Sequence, residues 1–215
     1  MRKALVAAVL GSLIILVSPT PASAHADMDT SSPANGAVLA KAPKTITLSF
    51  SEPVDVDTVQ VLDGQARPLT SATKVNGASI IVTPAAALPA GAITTQWKVK
   101  SDDGHVVTGA VSFIVGSRPV TGRPVTVTTT PHVPTVLSGA RAGQLSVGFT
   151  TAMTSGEVAW STQSLTGPIT WVAVGNGRKA TATGVLPFPG TWTMQATLVG
   201  KAGQVVVTTG TVTLG

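Results

Sequence analysis

The stretch Ile93-Thr94-Thr95-Gln96-Trp97-Lys98-Val99-Lys100 decides the fold. Ile93, Thr95, Trp97 and Val99 fall on one side of a period-two chain, and Lys98 and Lys100 on the other, as in a strand with one buried face. The same alternation runs through Thr45-Ile46-Thr47-Leu48-Ser49-Phe50. It returns in residues 107–115, where Val107, Val111, Phe113 and Val115 share a side. Turn signals separate these runs: Ser32-Pro33-Ala34-Asn35-Gly36, Asp63-Gly64, Asn76-Gly77, Pro89-Ala90-Gly91 and Asp103-Gly104. Thr and Val favour strands, and no segment after residue 25 keeps a helical period. Short strands with frequent turns predict a sandwich or barrel.

Outward from this core, the composition changes near Gly116. Residues 117–134 carry Pro119, Pro124, Pro131 and Pro134 among Thr and Val, and read as an extended linker. A second β pattern follows, with strands predicted at 144–151, 157–163, 169–174, 179–186, 191–199 and 205–214, and a hairpin turn at 200–203. The expectation is an all-β chain of two β-sandwich domains, 25–117 and 134–215, joined by a linker at 118–133. One continuous sandwich is the alternative, and the four prolines disfavour it.

The other end has the layout of a secretory signal at 1–24. Arg2 and Lys3 precede an apolar run of 14 residues, 4–17, and Ala22-Ser23-Ala24 offers a small-x-small cleavage site. The run is shorter than the roughly 18 residues of a spanning helix. Cutting after Ala24 makes His25 the first residue of an exported chain that does not span the membrane. It also removes two cations, lowering the net charge from +5 to +3. That balance, without a Lys/Arg cluster, is too weak for nucleic-acid binding. The sequence has no cysteine, which excludes thiolate catalysis and leaves nitrogen, oxygen and a few thioethers as metal donors.

Three histidines carry the remaining chemistry: His25, His105 and His132. Cleavage gives His25 a free α-amine beside its own imidazole, and the amine with Nδ1 closes a six-membered chelate ring. An α-amine titrates near pH ~8 and yields its proton to a metal more readily than a lysine. Asp103-Gly104-His105 adds a carboxylate and a second imidazole, two apart on an extended segment and therefore on one side. Three nitrogens and one oxygen suit tetragonal Cu(II), with tetrahedral Zn(II) as the competitor. The bland alternative is a hairpin turn plus a stray histidine.

Residues 25–115 resemble the CopC family of bacterial copper-resistance proteins. The matching motifs, in order, are His25-Ala26, Ser32-Pro33-Ala34-Asn35-Gly36, Leu48-Ser49-Phe50-Ser51-Glu52-Pro53-Val54, Trp97, Ser101-Asp102-Asp103-Gly104-His105, Gly109 and Phe113. The resemblance implies a seven-stranded Greek-key sandwich that binds copper outside the cytoplasmic membrane. It implies Cu(II) ligands at His25, Asp103 and His105, the same residues that the donor chemistry selects, and it favours Asp103 over the adjacent Asp102. Glu52 is a candidate carboxylate partner for a ligand imidazole or simply a strand-end charge. Some members of the family carry a Cu(I) site in a Met-rich loop. This chain has only Met28, Met153 and Met194 after the signal, so no thioether site is expected. His132 reads as a solvated linker histidine, and Trp160, Trp171 and Trp192 as core. From about Val125 to Leu214 the chain resembles the YtkA-like β domain found fused to copper-import proteins, chiefly through Leu186-Pro187-Phe188-Pro189-Gly190-Thr191-Trp192.

The function expected is that of an extracytoplasmic Cu(II)-binding protein, not an enzyme, located in the periplasm, cell envelope or medium. It would buffer copper or pass it to a CopD-like membrane transporter. A copper-dependent oxidative enzyme is a second reading. An Asp103 ligand would block the in-plane position oxygen needs, and a chain without tyrosine offers little for sugar stacking. A structural envelope protein is the third.

Overall fold

Alternating β-branched and polar residues leave this chain little choice but strands, and each strand must bury its apolar side against another sheet. The structure is a computed structural model describing residues 26–116, 126–129, 135–140, 142–149 and 153–215. The signal segment 1–24, His25, His132 and most of the expected linker lie outside the described residues.

Among the described residues there are seventeen strands and no helix. The first nine are β1 (Met28–Ser32), β2 (Val38–Leu39), β3 (Ile46–Phe50), β4 (Val54–Leu62), β5 (Pro68–Leu69), β6 (Ser71–Asn76), β7 (Ser79–Pro84), β8 (Gly91–Ser101) and β9 (Val106–Val115). Then come β10 (Thr126–Thr129), β11 (Thr135–Ala140), β12 (Gly143–Phe149), β13 (Met153–Ser161), β14 (Ile169–Gly175), β15 (Ala180–Leu186), β16 (Gly190–Gly200) and β17 (Val205–Leu214). One sheet has the order β1-β3-β7-β6. A larger one runs β11-β17-β16-β13-β14-β9-β8-β4-β5, with β2 beside β9 and with β15, β12 and β10 branching from β14. The chain changes sheet at β1–β2, β2–β3, β3–β4, β5–β6 and β7–β8, as Greek-key sandwiches do.

Two apolar clusters result. Ile46, Leu48, Ile80, Ile93, Trp97 and Phe113 anchor the first, between the small sheet and β4-β8-β9. Val158, Trp160, Ile169, Trp171, Phe188 and Trp192 anchor the second. The three tryptophans of the C-terminal part are core residues, as their strand positions suggest.

The alternation in β8 describes only half of what happens to it. Ile93, Thr95, Trp97 and Val99 are buried, but so are Thr94 and Gln96 on the opposite face, and Ser112 and Ile114 on β9. The C-terminal part packs on that second face, and Leu62 and Ala110 join its core. Ile169 pairs with Ala110 in parallel register, and the Ala110 N–H donates to the Pro168 carbonyl at 2.9 Å. The buried polar side chains Thr94, Gln96 and Ser112 on this face are matched. Gln96 Oε1 accepts the Thr166 N–H at 2.8 Å and its hydroxyl at 3.0 Å, Gln96 Nε2 donates to Gln60 Oε1 at 2.9 Å, and Thr94 and Ser112 share a hydroxyl bond of 2.8 Å. A second departure lies in the expected linker, where Thr126–Thr129 form β10, parallel to β12. The Thr-Val alternation outweighs the flanking prolines once a partner strand is available.

Gly167 marks the tightest approach between the two parts, since a Cβ there would lie 2.4 Å from the Gly109 nitrogen and 2.6 Å from the Thr108 carbonyl carbon. Backbone cannot move aside as a side chain can. Gly167→Ala should therefore destabilise the protein by about 1–3 kcal/mol through overpacking, seen as a lowered midpoint in thermal unfolding by circular dichroism. An unchanged midpoint would contradict this packing.

Candidate metal centre

The β8–β9 hairpin presents Asp103 and His105 at its tip. The Gly104 N–H donates to the Ser101 carbonyl and the Ser101 N–H to the His105 carbonyl, both at 2.9 Å. This tight closure needs a left-handed residue, and Gly104 supplies it at φ 89°. The segment is thus a turn rather than the extended run expected, and the turn brings the two side chains together. Asp103 Oδ2 lies 2.7 Å from His105 Nδ1, while Oδ1 accepts the Ser101 hydroxyl at 2.5 Å and the His105 N–H at 3.0 Å. With Nδ1–H donating to the carboxylate, the ring's basic lone pair is on Nε2, the nitrogen that would face a metal. The His105 side chain is 62% exposed and that of Asp103 23%. The ring therefore meets solvent while the carboxylate is held from beneath.

These donors keep the Asp103 carboxyl well below the usual carboxylate range. The Ser101 hydroxyl contributes most, then the backbone N–H and the ring of His105. The motif Ser101-Asp102-Asp103-Gly104-His105 contains Ser101 but does not by itself assign it this role, because the contact forms only when Gly104 closes the turn.

The start of the described chain reaches the same end of the first sandwich. Ala26 is fully buried in its core. The Asp27 N–H donates to Ser51 Oγ at 3.0 Å, and the Ser51 N–H returns a bond to the Asp27 carbonyl at 2.9 Å. Three residues beyond Ser51, Val54 pairs with Ser101. Position 26 is therefore fastened on the rim that carries the hairpin. Glu52 lies in between, half-buried, and its Oε1 is buried with no hydrogen-bond partner among the described residues. A carboxylate oxygen removed from water without a donor is costly and calls for a cation or donor there. Asp102 is exposed beside the pair. Among the described residues no group of three or more His, Asp or Glu side chains is placed to hold a metal ion.

A family profile described as the CopC domain matches residues 28–116. Copper resistance protein C of Xanthomonas campestris pv. juglandis is 32% identical over 121 residues, which span 49% of this chain and 94% of that one. The chain belongs to the CopC family. Copper resistance protein C of Escherichia coli, another CopC relative, is 31% identical over 120 residues, 50% of this chain and 94% of its own. Among solved structures, CopC from Methylosinus trichosporium OB3b aligns with a TM-score of 0.40 and 24% identity, covering 42% of this chain and 93% of that one. PcoC, a methionine rich copper resistance protein from Escherichia coli, aligns with a TM-score of 0.39 and 29% identity, covering 43% and 99%. The CopC domain accounts for residues 28–116 and includes the 101–105 hairpin.

A depressed Asp103 pKa has a definite consequence for this CopC chain. Because the folded value lies below the unfolded one (ordinarily ~3.9), the stabilisation is fully present above the ordinary value and is lost as pH falls through the depressed one. Ser101→Ala removes the largest contributor and should raise the Asp103 midpoint toward the ordinary range, measured by 13C NMR titration of its carboxyl carbon. An unmoved midpoint would rule out the Ser101 hydroxyl as the cause.

Proposed function

We propose that this chain, once cut after Ala24, binds Cu(II) outside the cytoplasm through His25, Asp103 and His105. The observation that carries the reading is the fastening of Ala26 and Asp27 on the rim that bears the Asp103–His105 hairpin. A residue joined to Ala26 cannot be more than one Cα step, ~3.8 Å, from it. Cleavage after Ala24 leaves a terminal amine beside the His25 imidazole, close to a preoriented carboxylate–histidine pair. Curated CopC relatives named copper resistance proteins support the same metal. The donor set of amine, imidazoles and carboxylate suits Cu(II), and the unpartnered Glu52 oxygen adds negative charge near the cation.

Asp103 can serve in two ways. Either it ligates directly, in which case its bond to His105 Nδ1 opens, or it keeps that bond and orients His105 for ligation through Nε2. The exposure of the histidine ring suits a protein that buffers copper and gives it up, since an incoming ligand can displace it stepwise. A CopD-like membrane transporter is the recipient we propose. Residues 134–215 are read as a second sandwich domain, packed on the copper-binding one through β14 and β9.

The test is a Cu(II) titration of the exported protein followed by electron paramagnetic resonance, alongside a version with one residue added before His25. The added residue should weaken binding at least ~10-fold, about 1.4 kcal/mol, and should change the nitrogen hyperfine pattern. His105→Ala should also weaken binding at least ~10-fold. Identical affinity and spectra for the extended and native termini would overturn the terminal chelate.

A further inference from the structure

We propose that the groove between the first strand of the CopC domain and the β13–β14 face receives a lysine or arginine side chain carried on an extended segment of a partner protein. The groove is a cavity of about 380 Å³ whose walls include Asp27, Met28, Trp97, Gly109, Glu157 and Thr170. It exists only because the two parts pack together: Asp27 precedes β1, the first strand of the CopC domain, and Glu157 lies on β13.

Three features point to the occupant. The first is charge. Asp27 and Glu157 both line the groove and are exposed, and neither forms an ion pair with any described residue. The second is an unmet donor. Trp97 is 4% exposed, and its Nε1–H is buried without an acceptor. The ring edge beside that nitrogen, Cε2–Cζ2, lies over Gly109, another wall residue. Asn35, also in the wall, does not help. Its Nδ2–H is given to the Thr170 carbonyl at 2.9 Å, and its Oδ1 takes the Ser112 N–H at 3.0 Å. The third is an apolar continuation. Val172 pairs with Glu157 across the ladder, and Val172 and Val174 extend the Thr170 side of β14 while remaining 73% and 70% exposed.

A small amine or a metal ion would answer the carboxylates alone. A basic side chain on an extended chain brings the cation, a backbone carbonyl for the indole N–H and flanking side chains for the valine row. Asp27 is two residues from His25, so such a partner docks at the end we assign to copper, although the docking does not depend on the metal.

The test uses metal-free, 15N-labelled exported protein and three probes: the peptides Ac-Val-Lys-Val-amide and Ac-Val-Gln-Val-amide, and n-butylamine. The lysine peptide should shift the Trp97 indole N–H resonance saturably. The effect should weaken at least ~5-fold in Glu157→Gln and in Asp27→Asn, and should fade in high salt. Both substituted residues are exposed, and the remaining resonances report that each variant is folded. A Trp97 signal that does not move, that moves equally with the glutamine peptide, or that is indifferent to Glu157→Gln overturns the proposal. A response to butylamine as strong as to the lysine peptide overturns the peptide part of it.

Discussion

An amide buried between two protein cores must have every polar atom bonded, and Gln96 meets that demand with groups from both. Its oxygen takes two bonds from Thr166 and its nitrogen gives one to Gln60. Any of these lost would leave a polar atom in a dry interface, at a cost comparable to a full hydrogen bond. The Gly109–Gly167 approach and the Ala110–Pro168 bond complete the same contact. Strands β8 and β9 are therefore packed on both faces along their middle, and the hairpin that joins them projects from a doubly supported base. The position of β13 and β14, and with it the groove beside Asp27, follows from this one interface.

Half of that arrangement was readable in the sequence. Ile93, Thr95, Trp97 and Val99 announce a buried face because a period of two is local. Thr94, Gln96 and Ser112 do not announce a second one. They are polar, and polar residues alternating with apolar ones look solvent-facing whether water or another domain covers them. Only their mutual bonds distinguish the cases, and those bonds are long-range. β10 was missed for a related reason. Thr126–Thr129 pairs in parallel with β12, a partnership the flanking prolines obscured and no short turn signals.

The candidate site divides in the same way. That Asp103 and His105 come together was legible from their spacing around a glycine. Ser101 was not, because its hydroxyl meets the carboxylate only after Gly104 folds the turn back. The net charge was a poor guide as well. Of the nine carboxylate residues, Asp27, Asp29, Glu52, Asp102 and Asp103 lie on the rim with the hairpin or on the strand that leads to it. Lys98 is engaged by Asp57 at 2.6 Å, which leaves Lys100, beside Gly104, against these five carboxylates. A chain that is positive as a whole is thus acidic at one end, and local field, not total charge, governs which ions approach.

Fixed and exposed donors do different work at such an end. Asp103 is immobilised by three bonds before any metal arrives, so little ordering remains to oppose binding there. His105 has its tautomer set by the same carboxylate, yet most of its ring stays in water. A site built only from immobilised donors would hold copper and release it slowly. One built only from exposed donors would pay the full entropy of ordering each. Pairing a fastened carboxylate with an accessible imidazole lets an ion be oriented as it lands and still leaves one coordination bond open to attack by an incoming ligand. That combination is what the hairpin geometry adds to a donor list, and it is the argument on which the proposed exchange of copper rests.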